Sequence, residues 1–222
     1  MSNYFKRLPD FEYVSRLPDA NISDYIKVKN LFKKGQLRED IFQQVSIFTK
    51  YKIIGDDRPD NVAFDFYADS SLDWLVLTCN NVINIQSEWP LRQADFDRYM
   101  LDKYGDYDTL FNGVHHYETT EIKDSSGVIM MPSGLRCDST FAFSYSDSRS
   151  GTLFNLSNIS TEVTNYQYEE QIEDAKRNIF LLKPRYLNVV FDDLDEMMVY
   201  RKGSTQYKSE TLKTADNIRL FQ

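Results

Sequence analysis

Apolar positions along this chain change period several times, and each change marks an element. In "DYIKVKNLFKKG", Tyr25, Ile26, Val28 and Leu31 alternate with charged residues, which predicts a strand ending near Gly35. Val45 to Ile54 carries β-branched and aromatic residues at near-alternate positions and reads as another strand. Gly55-Asp56 then makes a turn. Asp57 is a candidate cap for a first helix, with Pro59 in the opening turn, where a missing N–H costs nothing. Val62, Ala63, Phe66 and Tyr67 form one apolar face. "ADSS" breaks the chain, and Ser70 with Asp73 reads as a capping box for a second helix faced by Leu72, Leu75, Val76 and Cys79. Asn80-Asn81 ends it, since Asn tolerates the left-handed backbone of a helix C-terminus.

A third helix is predicted after Pro90, with Phe96, Tyr99, Met100 and Tyr104 on its face and Gly105 as its stop. The pattern then turns to β. "VHHYETTEI" and "GVIMM" flank the turn "KDSSG", and "LRCDSTFAFSY" alternates before the polar loop "SDSRSG". "YEEQIEDAKRNIFLLKP" opens as an acidic helix, passes through an apolar run and stops at Pro184. "LNVVFDDLDEMMVY" is amphipathic, with Leu187, Val190, Phe191, Leu194 and Met198 inward. The tail from Arg201 is polar and reads as mobile or ordered by a partner.

Residues 1–24 read as an arm. "RLPD" occurs at Arg7–Asp10 and again at Arg16–Asp19, and each Pro biases its preceding Leu to extended backbone. Phe5, Phe11, Tyr13 and Val14 have no helical period. An extended segment cannot bury such groups by itself, so they rest on a neighbouring protein or on the chain's own core. The expected class is α+β, in three segments: an arm with the first strand at 1–44, a core at 45–140, and a C-terminal β/α segment and tail at 141–222.

Composition narrows the function. The chain has 222 residues, 41% hydrophobic, with 15 Tyr and 15 Phe, enough for a real core. No apolar run approaches the ~20 residues of a membrane helix, and "MSNYFKRLPDF" lacks the apolar stretch of a signal peptide, so cytosolic synthesis is expected. Two cysteines there, Cys79 and Cys137, read as small hydrophobes. A net charge of −8 argues against a phosphate-binding surface. "KNLFKKG" is the densest basic cluster, and its default reading is a solvated edge.

Catalytic signatures are missing from the sequence: it has no P-loop, Gly-x-Ser-x-Gly elbow, His-Glu-x-x-His, Cys-x-x-Cys or dinucleotide glycine fingerprint. His115 and His116 are adjacent in a predicted strand and should face opposite sides, so they do not share a metal. "DDLDE" at Asp192–Glu196 lacks the glycine-centred loop of a calcium site and reads as a solvated helix face. No catalytic residue, cofactor or metal ligand is assigned, and neither nucleic acid nor membrane is expected as a partner.

The stretch Tyr51–Val82, through Tyr51, Ile53, Gly55-Asp56, Val62-Ala63, Tyr67, Leu72, Leu75 and Asn80-Asn81, resembles a LysM module. That resemblance implies a βααβ core, two helices on a two-stranded sheet. The closing strand is expected at residues 129–137, with the third helix and part of the hairpin inserted before it, or at 82–86. Glycan binding, the family's common role, would use the loops holding Asp56, Asp57, Asn80 and Asn81. Over residues 25–200, "RPDNVAFDFYADSSLDWLVLTCNNVINIQSEWPL", "RYMLDKYG", "HHYET" and "AKRNIFLLKPRYL" together resemble the wedge protein 53 family of contractile-tailed phage baseplates. That implies a non-enzymatic virion subunit, assembled in the host cytoplasm, joining wedge-core subunits around the tail hub near the sheath initiator. Tyr4, Phe5, Phe11 and Tyr13 are then candidate anchors for neighbours, and Trp74, at the rim of the second helix, is either such an anchor or core. Trp89 is expected to lock the third helix.

Overall fold

In the computed structural model of the chain, residues 3–15, 17–21, 24–203 and 206–214 are described. Arg16, which opens the second "RLPD", and the last residues of the tail lie outside them. The chain begins with α1 (Tyr4–Arg7), β1 (Asp10–Val14), β2 (Tyr25–Lys29), α2 (Glu39–Phe42), β3 (Phe48–Lys52), α3 (Pro59–Tyr67), α4 (Asp73–Cys79) and α5 (Ile85–Glu88). It continues with α6 (Gln93–Tyr104), α7 (Tyr107–Asn112), β4 (Val114–Thr119), β5 (Ile122–Lys123), β6 (Ile129–Met131), β7 (Arg136–Cys137), β8 (Ala142–Ser146), β9 (Leu153–Ser157), β10 (Ser160–Thr164) and α8 (Asn165–Lys176). Last come β11 (Asn178–Leu182), α9 (Leu187–Met198), β12 (Tyr207–Ser209) and β13 (Leu212–Thr214). The class is mixed α and β, with several small sheets. Two compact units divide it: Met1–Trp89 with Asn178–Gln222, and Pro90–Arg177. The segments 1–44, 45–140 and 141–222 cut across these units.

The first unit is built on a strand–helix–helix–strand arrangement. β3 pairs antiparallel with β11, Lys52 opposite Asn178 and Phe48 opposite Leu182. Neither expected closing strand takes that place. Residues 85–88 are helical, because Asn84 caps Gln86 N and Glu88 accepts from the N–H groups of Ile83 and Asn84. Residues 129–131 and 136–137 pair instead with β5 and β4, within the second unit. Those partners are near in sequence, and a short loop costs less entropy to close. The apolar run "NIFLL" supplies the closing strand, with Ile179, Leu181 and Leu182 buried.

Val62, Ala63, Leu75, Val76, Leu181 and Leu182 have no exposed surface. Burying each of the larger ones is worth about 1.5–3 kcal/mol. Helix ends differ from the sequence expectation. Arg58, not Asp57, is the N-cap residue of α3, with Pro59 in its first turn. The Ser70–Asp73 box does not form. Asp69 caps a short 3₁₀ turn at Ser70–Leu72 by accepting from Ser71 N, and α4 follows directly. Ala68 (φ 60°) and Asn81 (φ 53°) take the left-handed backbone that ends the two helices.

Trp89 belongs to this core rather than locking the third helix. Its ring is buried among Ile53, Val62, Ala63 and Leu72, and its indole N–H donates to Asp57 O at 2.9 Å. The described residues of the arm and tail are folded as well. β1 lies between β2 (antiparallel) and β13 (parallel), in a sheet of order β12-β13-β1-β2. The tail beyond Arg201 is therefore sheet over residues 207–214, held by an ion pair from Lys208 to Glu12 and by Tyr200 N donating to Glu210 O.

In the second unit, α6 buries Phe96 and Met100, and Gly105 (φ 84°) ends it. Glu169, buried on α8, accepts from Lys103 at 2.6 Å and Tyr104 at 2.9 Å. Two hairpins, β5–β6 and β8–β9, are clasped at their turns. Asp147 accepts from Ser125 N and Oγ, and Ser148 Oγ donates to Asp124. The hydrogen bonds from Ser125 and Ser150 hold the Asp147 carboxyl well below the usual carboxylate range.

Candidate interaction surface

Of the expected anchors, Tyr4 and Trp74 meet each other. Their rings lie 5.6 Å apart, and Trp74 also packs on Phe191. The Tyr4 hydroxyl accepts from Gly35 N at 2.8 Å. A Cβ at Gly35 would collide with Leu194, so the glycine is what lets this segment lie against α9. Arg7 grips both carboxylate oxygens of Asp195 at 2.7 and 2.8 Å and lies 4.4 Å over the Phe191 ring. Leu8 is buried with Leu194 and Met198. The first turn of the arm is thus seated on the chain's own core. The acidic run on α9 also holds the segment after β2, since Arg38 reaches Asp193. Phe5 is 60% exposed, and Phe11 and Tyr13 are half-buried on one face of the sheet.

The four loop residues divide. Asp56 is exposed, and Asp57 gives its carbonyl to Trp89. Asn80 is fully engaged: its amide N donates to Val76 O at 2.8 Å and Phe180 O at 2.9 Å, and its oxygen accepts from Phe180 N at 2.8 Å. That side chain occupies the open edge of β11 as a strand residue would. Asn81 is exposed on a groove of about 810 Å³, shared with Lys34, Leu37, Phe42, Ile83 and Met197.

The histidine pair departs from the alternation expected of a strand. The β10–β4 register slips, Val163 lying opposite His116 and Thr164 opposite Val114. His115 is the bulged residue, and a bulge re-aims its side chain. The two Nδ1 atoms come within 2.9 Å, so one ring donates to the other. His116 Nε2 is 3.0 Å from Glu118, and His115 stacks on Tyr168 with centroids 3.8 Å apart. Among the described residues, no group of three or more His, Cys, Asp or Glu is arranged to hold a metal ion, and no helix is long and apolar enough to cross a membrane.

A run of exposed apolar side chains lies on β2 and just after it: Tyr25 (41%), Ile26 (45%), Val28 (38%), Leu31 (69%) and Phe32 (95%). The sequence marks this stretch as a strand and the overlapping "KNLFKKG" as a solvated edge, but that β2 is the end strand of its sheet is not written in local periodicity.

Arg7, Arg38, Asn80 and Glu169 hold the protein's own segments together, and a run of exposed apolar side chains lies on and just after the end strand β2, an arrangement suited to a structural protein. The chain belongs to the base plate wedge protein 53 family, whose model matches residues 4–123. No curated protein matches it. Membership makes it a structural component of a phage baseplate, places it in the virion tail, and implies other baseplate proteins as its neighbours.

Proposed function

We propose that this chain joins neighbouring wedge subunits around the hub of a contractile tail, next to the wedge-core subunits and the sheath initiator, during baseplate assembly in the host cytoplasm. The family match over residues 4–123 carries this reading. Its rigid block is the β3–α3–α4–β11 arrangement, two helices packed with a two-stranded antiparallel sheet, which supports a LysM-like core interrupted between α4 and β11. Such a block holds its shape before partners arrive, so association orders few residues and loses little entropy.

The test is co-expression with the wedge proteins of the same phage, followed by size exclusion. Co-elution in fixed stoichiometry is the expected result. A chain that elutes alone beside an otherwise assembled wedge overturns the proposal.

A further inference from the structure

We propose that the free edge of β2 receives an added β-strand from another protein: an extended segment alternating apolar and acidic residues. The proposal deepens the assembly reading and rests on it.

The backbone makes the first argument. β2 ends the sheet order β12-β13-β1-β2. Asn30 N donates to Pro9 O and Ser15 N to Asp24 O, which fixes these as hydrogen-bonded positions of the β1–β2 ladder. Antiparallel pairs alternate, so Phe11/Val28 and Tyr13/Ile26 are bonded pairs too. The N–H and C=O groups of Tyr25, Lys27 and Lys29 therefore point away from β1, where no further strand lies among the described residues. The register runs from Asp10/Lys29 to Val14/Tyr25 without a bulge. A straight, exposed edge of five residues is what soluble proteins blunt unless they use it.

Side chains make the second. Ile26 and Val28 share a face with Tyr13 and Phe11, their cross-strand neighbours, and offer an apolar surface. The opposite face carries Tyr25, Lys27 and Lys29, and Lys33 and Lys34 follow within a few residues. Lysines on an edge commonly serve only to forbid pairing, and here they do forbid one kind. A second copy added antiparallel about Lys27 would set Lys27 against Lys27. The same charges favour a strand with Asp or Glu at those positions, by about 0.2–1 kcal/mol per opposed pair. Lys29 is partly spent, bonding Asp10 at 2.9 Å and Leu8 O at 2.8 Å; Lys27 lies opposite Glu12, whose carboxylate is paired with Lys208, so Lys27 carries most of the selection. The occupant is thus another protein's acidic strand, bound by main-chain bonds and selected by alternate side chains.

Lys27→Pro is the discriminating variant. Its N–H points outward, so proline removes a docking donor without touching the β1–β2 ladder. The probes are a labelled peptide alternating Val and Glu and its Val–Lys counterpart, read by fluorescence anisotropy on the full chain. The acidic peptide should bind in a salt-sensitive way, roughly tenfold more weakly to Lys27→Pro and severalfold more weakly to Lys27→Gln, each at unchanged melting temperature. In the complex with wedge partners, the amides of Tyr25, Lys27 and Lys29 should gain protection from hydrogen exchange. Equal binding of both peptides, unaltered binding by Lys27→Pro, or a dimer of this chain abolished by that variant would each overturn the proposal. If wild type co-elutes with wedge proteins while residues 25–29 gain no protection, edge docking fails and the assembly reading stands. If wild type never co-elutes, the assembly reading fails, and edge docking, which rests on it, falls too.

Discussion

Replacing Asn80 with alanine removes three hydrogen bonds at one stroke, two to the backbone of Phe180 and one to Val76 O at the end of α4. Two of them lie near solvent, so water recovers part of the loss. At a net 0.5–1.5 kcal/mol each, the sum is about 2–3 kcal/mol. For a chain of this size that corresponds to a fall in melting temperature of roughly 4–12 °C. Asn80→Asp should be at least as damaging. A carboxylate has no donor for either carbonyl, and it places negative charge at a helix C-terminus. Urea unfolding followed by tryptophan fluorescence reads this directly, because the two tryptophans, Trp74 and Trp89, lie in the same unit as Asn80. The midpoint should fall with the slope unchanged. A glycan-contact role for Asn80 predicts the opposite: normal unfolding with weaker retention on purified peptidoglycan. An Asn80→Ala protein within about 0.5 kcal/mol of wild type would refute the clamp.

Trp89→Phe loses the bond to Asp57 O and part of a buried ring, and should cost about 1–3 kcal/mol in the same urea experiment. Asp147 has a depressed native pKa, so its contribution is full above the ordinary carboxylate range and is lost as pH falls through the native value. Asp147→Asn should therefore lower the melting temperature at neutral pH, with the gap to wild type closing only in strong acid. Burial pushes the Cys79 thiol up to about 12, so at pH 8 a thiol reagent should modify it only after denaturant is added, whereas half-exposed Cys137 reacts in the native protein.

The helical faces were legible because each is a local pattern: Val62 and Ala63, Leu72, Leu75, Val76 and Cys79, Phe96 and Met100, and Val190, Leu194 and Met198 are buried as their spacing requires, although Tyr99, on the same expected face as Phe96, is 41% exposed. Partners across the chain were not. "NIFLL" reads as apolar whichever strand it joins, and nothing in residues 178–182 names Phe48–Lys52 as its mate, more than 120 residues earlier. Caps were missed for a related reason. Asp69 and Ser70 both suit a helix start, and the choice went to Asp69 because a 3₁₀ turn precedes α4. The histidine pair failed on alternation itself, since one bulge at His115 reverses the side it faces. Of the candidate site residues, Asn80 was named for a sugar contact, and the structure places its amide against the β11 edge.

The arm changes how association is controlled. A disordered arm that orders on docking would keep premature assembly weak through lost chain entropy. Here Tyr4, Arg7 and Leu8 are already seated on α9 and Trp74, and β1 is already paired on both sides. That entropy is lost when the chain folds, so it is not available to oppose docking later. On the proposed reading, restraint passes to charge. Lys27 opposes self-pairing of the β2 edge, and the chain's net charge of −8 slows the approach of acidic partners until the basic stretch Lys27–Lys34 is within about one Debye length, roughly 8 Å at physiological salt. Selectivity at such an edge depends on ionic strength, whereas selectivity from coupled folding depends mainly on temperature and helix or strand propensity. The salt dependence of wedge assembly therefore distinguishes a preformed edge from an arm that folds on contact.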